Sequence, residues 1–260
     1  MMQHTWDTQG FYAADVGMAG FGPRLSGAGI RALLEMPRLK TIQSEVPLSD
    51  ELARRLNDEF FSIRPQVRLR LYTNGHHLRF LKHMPNVRRF SADCMSSVEH
   101  MQGVRDLSNL EALRVDIYDL TDFDFLGDLP DTLRSLALEE THSKRPSLTK
   151  VERFQDLKFL SLRGQQKQIE VVGRLPQLRH LSLASISSPG LDFLVGANSL
   201  MSLSIVLGGI QDISALKCLP NLEHLCLNWI RGLADISPVS ELTRLRCLRL
   251  ELLKRIASVP

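Results

Sequence analysis

Three sets of residues in this 260-residue chain carry side chains capable of chemistry. Cys226 stands two residues beyond His224, with His180 earlier in the chain, and a thiol beside an imidazole is the raw material of a covalent catalyst. Such a pair also needs an acid to orient the imidazole, and none recurs in step with it. Asp93, Asp116 and Glu139 are spaced 23 residues apart, and carboxylates repeated in that way could converge on calcium. The glycine-turned ligand loop that accompanies calcium is missing. His76-His77 follows Asn74-Gly75 and reads as an exposed turn. Neither a phosphate-cradling glycine loop nor a paired-cysteine zinc motif occurs. The sequence therefore predicts no catalytic residue, no metal site and no cofactor, and interest shifts to the arginines and aromatic residues interleaved with these groups.

What positions all of them is a repeat. Eight times the chain writes an apolar residue, two variable ones, an apolar residue, one variable and another apolar, beginning at Val87, Leu110, Leu133, Leu157, Leu178, Leu200, Leu222 and Leu245. The third apolar position holds Ala92, Val115, Leu138, Leu162, Leu183, Ile205, Leu227 and Leu250. Upstream, residues 39–44 have the same shape and 66–71 fit with Gln66 in the leading place, which makes about ten strands. Alternation within each phrase sends the apolar residues inward and the residues between them outward. Between phrases most segments are apolar every third residue, as in Leu120, Phe123, Leu126 and Leu129, which fits 3₁₀ turns better than α-helices. The exception is residues 49–61, where Ser49 as a cap and apolar Leu52, Leu56 and Phe60 predict an α-helix. Prolines 37, 85, 130, 176 and 220 end the return segments just before a strand.

A 21- to 24-residue period with this spacing resembles the leucine-rich repeat, in its short, internalin-like or phosphatase-regulator-like form. The resemblance implies an α/β solenoid: a curved coil with a parallel concave β-sheet, a thin 3₁₀ convex side and an N-terminal helical cap. On this reading residues 1–260 form a single domain, with a cap over 1–36 that includes Trp6 and a helix near 25–36, repeats over 37–250, and a short C-terminal end over 251–260. One departure is plain. The family usually places Asn three residues after the third apolar position, and this chain has Met95, Tyr118, Thr141, Gln165, Ile186, Gly208, Ile230 and Leu253 there. The amides that Asn would satisfy need other partners.

The outward columns define the candidate site. Arg68, Arg70, Tyr72, Arg89 and Arg114 stand beside Asp93, Asp116 and Glu139. After Arg163 the columns become small, and His224, Asn228, Trp229, Arg249 and Glu251 restore charge and aromatic surface near the end. Arginine and aromatic residues are the usual anchors of protein interfaces, so a protein partner on the concave face is expected. Asp93, Asp116 and Glu139 would form a like-charge ladder across strands about 4.8 Å apart, which a basic partner would relieve. In the same geometry His180 and His224 lie two strands apart, too far to share a zinc ion. A net charge of +3 and a pI near 8.7 lack the dense basic stripe of a nucleic-acid binder. No run of apolar residues is long enough for a membrane span, and no basic-then-apolar leader begins the chain. Four cysteines scattered through the repeats read as free thiols of a cytoplasmic protein. The expected function is non-catalytic protein binding, as a scaffold or as a stoichiometric inhibitor such as an immunity protein. At the C-terminal edge two readings stand: Leu252, Leu253 and Ile256 cover the core themselves, or the open edge meets a partner or a second copy, as in self-assembly.

Overall fold

A computed structural model describes residues 10–15, 17–143 and 145–256. Its twelve strands are β1 (Phe11–Asp15), β2 (Met18–Phe21), β3 (Thr41–Ser44), β4 (Arg68–Tyr72), β5 (Arg89–Met95), β6 (Ala112–Ile117), β7 (Ser135–Leu138), β8 (Phe159–Arg163), β9 (His180–Ile186), β10 (Ser202–Gly208), β11 (His224–Ile230) and β12 (Cys247–Glu251). Within each compact unit of the chain the strands follow one another in sequence order. Eight short 3₁₀ segments serve as return segments among the described residues, as the period of three predicts. The chain forms two compact units, one of residues 1–119 with 124–132 and one of residues 120–123 with 133–260.

In the first unit β1 pairs antiparallel with β2, and β2 pairs parallel with β3. This hairpin accounts for the two strands beyond the ten expected. Gly17, at φ 111°, takes a conformation few other residues adopt, and Gly20 lies under the ring of Tyr12, where a Cβ would come within 2.2 Å. The expected helix is present as α1 (Gly27–Glu35), capped by Ser26 Oγ, which accepts from Gly29 N at 3.1 Å. Trp6 lies outside the described residues. Arg64 reaches back to the end of α1, donating from Nη1 to the carbonyls of Leu33, Leu34 and Met36 and from Nη2 to Leu39 O, so one cation satisfies backbone acceptors that a helix end leaves open.

The segment predicted as one α-helix is two. Residues Asp50–Arg55 form α2, and Leu56–Phe61 widen into a π-helical turn in which Ser62 N donates to Asn57 O. Adjacent Phe60 and Phe61 at this turn are both fully buried, edge to face with centroids 5.1 Å apart.

The second unit repeats one plan. In β7 to β11 the inward pairs Leu136/Leu138, Leu160/Leu162, Leu181/Leu183, Leu203/Ile205 and Leu225/Leu227 are all buried, and the strands pair parallel in unbroken register. Leu248 and Leu250 of β12 are only half-buried. Each fully buried leucine contributes roughly 1.5–3 kcal/mol relative to exposure, which is why the period dominates the sequence. Among the described residues no helix is long and apolar enough to cross a membrane.

Candidate functional site

On the outward face of the first unit, strands β3 to β6 bring the predicted polar residues into one chain of contacts. The registers Gln43↔Arg70, Arg70↔Ser91 and Ser91↔Arg114 place one column side by side. Arg70 donates from Nε to Asp93 Oδ2 at 2.7 Å and from Nη1 to Gln43 Oε1 at 2.8 Å, and its guanidinium lies over the Tyr72 ring at 4.5 Å. Gln43 Nε2 and Tyr12 OH both donate to Glu45 Oε1, at 3.1 and 2.9 Å. Burial first, and the bond to Glu45 second, push the Tyr12 phenol up to about 12. Arg114 Nε approaches the same Asp93 oxygen at 3.8 Å. Asp93 is thus already held by arginine within the protein, and the basic surface expected from a partner is partly supplied by the fold. The carboxylate ladder is also broken in register: pairing passes from Ala92↔Val115 to Met95↔Ile117, so two residues of β5 stand against Asp116 alone.

Arg68 and Arg89 differ from their neighbours. Arg68 is half-buried beside Thr41 of β3 and, by the register of β4 on β5, beside exposed Arg89; no hydrogen bond or ion pair is made by either guanidinium among the described residues. Burial, then the charges of Arg89 and Arg114, lower the Arg68 pKa, with Asp93 offsetting part of the effect. His76 departs from the expected exposed turn. It is buried, its Nε2 lies 3.1 Å from Tyr72 O, and desolvation lowers its pKa.

In the second unit Glu139 and Arg163 form an ion pair at 3.0 Å, with Glu139 buried and Arg163 exposed. Gln165 stands where the repeat usually has Asn and does comparable work, donating from Nε2 to Glu139 O at 2.8 Å and accepting from Arg163 N at 3.1 Å. Asn228 Nδ2 and Arg249 both donate to Glu251, at 2.6 Å each. The bond to Glu251 raises the Arg249 pKa. His180 and His224 are each aligned with Ser202, one on either side, which confirms their separation by two strands. His224 is aligned directly with Cys247, and Cys226 with Arg249. Cys218, Cys226 and Cys247 are free thiols, and no metal-holding group of three His, Cys, Asp or Glu occurs among the described residues.

The columns omit one feature of this unit. Ser185, Leu207, Trp229 and Leu252, each two residues after the third apolar position, have φ of 56°, 55°, 53° and 53°. Left-handed backbone at a bulky residue costs about 1 kcal/mol or more, and it recurs here in neighbouring repeats. The kink turns these side chains out while the following residue returns inward: Ile186 and Ile230 are buried, and pairing resumes at Gly208↔Ile186 and Gly208↔Ile230. Because strand pairing continues past the bend, with Gly209 N donating to Ile186 O at 2.9 Å, neighbouring backbone satisfies amides that Asn would otherwise serve. Trp229 is 44% exposed and Leu252 63%, and Trp229, Leu207, Gly208, Gly209, Ser185 and Arg231 line part of a cavity of about 270 Å³.

No family model matches the sequence, and no curated protein matches it. Solved structures do. A leucine-rich-repeat protein of Leptospira interrogans superposes with a TM-score of 0.62 at 19% identity, over 92% of this chain and 59% of that one. The chain has the leucine-rich-repeat fold. An internalin of Listeria monocytogenes shares this leucine-rich-repeat architecture at a TM-score of 0.56 and 17% identity, over 91% of this chain and 74% of its own. The TLR13–ssRNA13 complex matches at 0.64 and 18%, over 90% of this chain and 36% of that one. The present leucine-rich-repeat chain therefore spans about a third to three quarters of the length of these proteins.

Proposed function

We propose that this chain is a non-catalytic module that binds a protein partner. The observation that carries the reading is the column Leu207, Trp229 and Leu252: apolar side chains turned outward by strained backbone, two of them exposed, in adjacent repeats. Strain of this kind persists where the surrounding fold enforces it, and an exposed tryptophan between leucines is a typical interface anchor. His224, Asn228, Arg249 and Glu251 supply a polar rim beside it, and Phe159, exposed and aligned with His180, adds a second aromatic contact.

A related fold is found in a complex with RNA, which makes nucleic acid the competing class. The charge arrangement favours protein. Each unit has an acid against an arginine, Asp93 in the first and Glu139 in the second, and phosphates bound at either would meet the carboxylate as well as the cation. Free thiols at Cys218, Cys226 and Cys247 support a reducing, cytoplasmic setting. Both scaffold and inhibitor are protein-binding roles, and the partner's identity separates them.

The test is affinity capture from nuclease-treated lysate of the source organism, comparing the wild type with a folded Leu207→Ser, Trp229→Ala variant. A stoichiometric protein retained by the wild type and lost by the variant is the expected outcome. Equal capture by both, or a ligand destroyed by nuclease, would overturn the reading.

A further inference from the structure

The geometry points to a seat for a partner's carboxylate between Arg68 and Arg89 on the outward face of the first unit. This inference rests on the protein-binding reading and adds the chemistry of one anchor.

Four arginines, Arg68, Arg70, Arg89 and Arg114, share the columns of β3 to β6 with three carboxylates, Glu45, Asp93 and Asp116. The carboxylates are not distributed evenly. Asp93 lies against Arg70 and Arg114, and Glu45 is bound by Gln43 and Tyr12. That leaves the row Thr41, Arg68, Arg89 and Ala112, in register across four strands, with two cations and no acid. Adjacent strands are about 4.8 Å apart, so like charges stand side by side, an arrangement that costs stability without an anion. Arg68 is half-buried and makes no hydrogen bond or ion pair among the described residues. A second polar group in the cluster is also unsatisfied. Ser91, 1% exposed in the next row between Arg70 and Arg114, has an Oγ without a hydrogen-bond partner. Thr41 and Ala112 are short, so the arginine pair is flanked on both sides by low side chains. The lowered Arg68 pKa has the same cause, since an anion at this row would offset both its desolvation and the charge of Arg89.

The occupant is an aspartate or glutamate of a protein partner. One carboxylate can accept from both guanidinium groups and matches the single excess positive charge of these columns. A phosphate dianion balances the two cations of this row but exceeds the single excess positive charge of the columns as a whole, and a run of phosphates would extend toward Asp93 and Asp116.

The test uses defined probes on the full chain: acetylated hexaglutamate, neutral hexaglutamine, inorganic phosphate and hexauridine, at matched ionic strength. Arginine Nε–Hε resonances are assigned through Arg68→Gln and Arg89→Gln variants. Hexaglutamate is expected to shift the Arg68 and Arg89 signals saturably and more tightly than the other three probes, with affinity falling about tenfold in either variant. Arg105→Gln, on an exposed return segment, should bind as the wild type does. The Arg68→Gln variant should melt no lower than the wild type, because it removes a repelled cation rather than a bond. No saturable shift, unchanged affinity in both variants, or tighter binding of phosphate or hexauridine would overturn the carboxylate seat. Failure here leaves partner capture through Trp229 untouched, and failure of that capture leaves hexaglutamate binding measurable, so the two readings fall separately.

Discussion

Replacing Arg70 with alanine removes three contacts at once, and the structure sets their relative weight. The bond to Asp93 is the largest. Asp93 is 9% exposed and Arg70 23%, with 2.7 Å between Nε and Oδ2, so solvent screens the pair little. Hydrogen bonds to charged groups contribute about 1.5–3 kcal/mol net, and the Gln43 bond and the Tyr72 ring add about 1 and about 0.5 kcal/mol. Arg114, at 3.8 Å, remains near Asp93 and softens the loss. Arg70→Ala should therefore cost about 3 kcal/mol, and a double-mutant cycle with Asp93→Asn should show a coupling of about 2 kcal/mol. The assay is urea unfolding followed by far-UV circular dichroism, with hydrogen exchange of β4 and β5 amides to locate the effect. The Arg163–Glu139 cycle is the internal control: its separation is similar, but Arg163 is 45% exposed, and screening should hold its coupling below about 1 kcal/mol. A coupling for Arg70–Asp93 under about 0.5 kcal/mol, or one no larger than the control, would refute the argument that burial sets the strength of these pairs.

Two further outcomes follow from named geometry. Subtracting the alkaline spectrophotometric titration of Tyr12→Phe from that of the wild type should isolate one phenol centred near 12; a centre near 10 would show that burial and Glu45 do not act on it. The folded state holds this proton longer than the unfolded chain, so the contribution is complete below about pH 10 and is lost as pH rises toward 12. At the left-handed column, Leu252→Gly should stabilise the protein by about 0.5–1 kcal/mol, since the side chain is 63% exposed and glycine bears no penalty at φ 53°; a loss of stability in thermal unfolding would mean that Leu252 packs more than it strains.

The parallel strands, their register and the 3₁₀ returns were legible because each depends on burying one apolar residue at a fixed interval, as Leu181, Leu203 and Leu225 do in successive strands. The outward columns followed from the same alternation. The β1–β2 hairpin was missed because it lies outside the period, and its signals are local: glycines at 17 and 20 among aromatic residues. The π turn at Leu56–Phe61 was not legible, because adjacent apolar residues such as Phe60 and Phe61 also occur on the buried face of an ordinary α-helix. Asp93, Arg70 and Arg114 were placed on one face by sequence, but which cation holds which anion depends on side-chain reach and on the bulge after Ala92. The left-handed column was hidden because Ser, Leu and Trp carry no conformational signature of φ; the missing Asn residues were the only hint, since without them the bend had to be built differently.

That bend separates what a residue is from where it points. At positions 185, 207, 229 and 252 the direction of the side chain is dictated by main-chain geometry, and the fold already tolerates a hydroxyl, an indole and an isobutyl group there. These positions behave as mounts on a fixed rail, so their side chains can be exchanged while the leucines that fold the chain stay as they are.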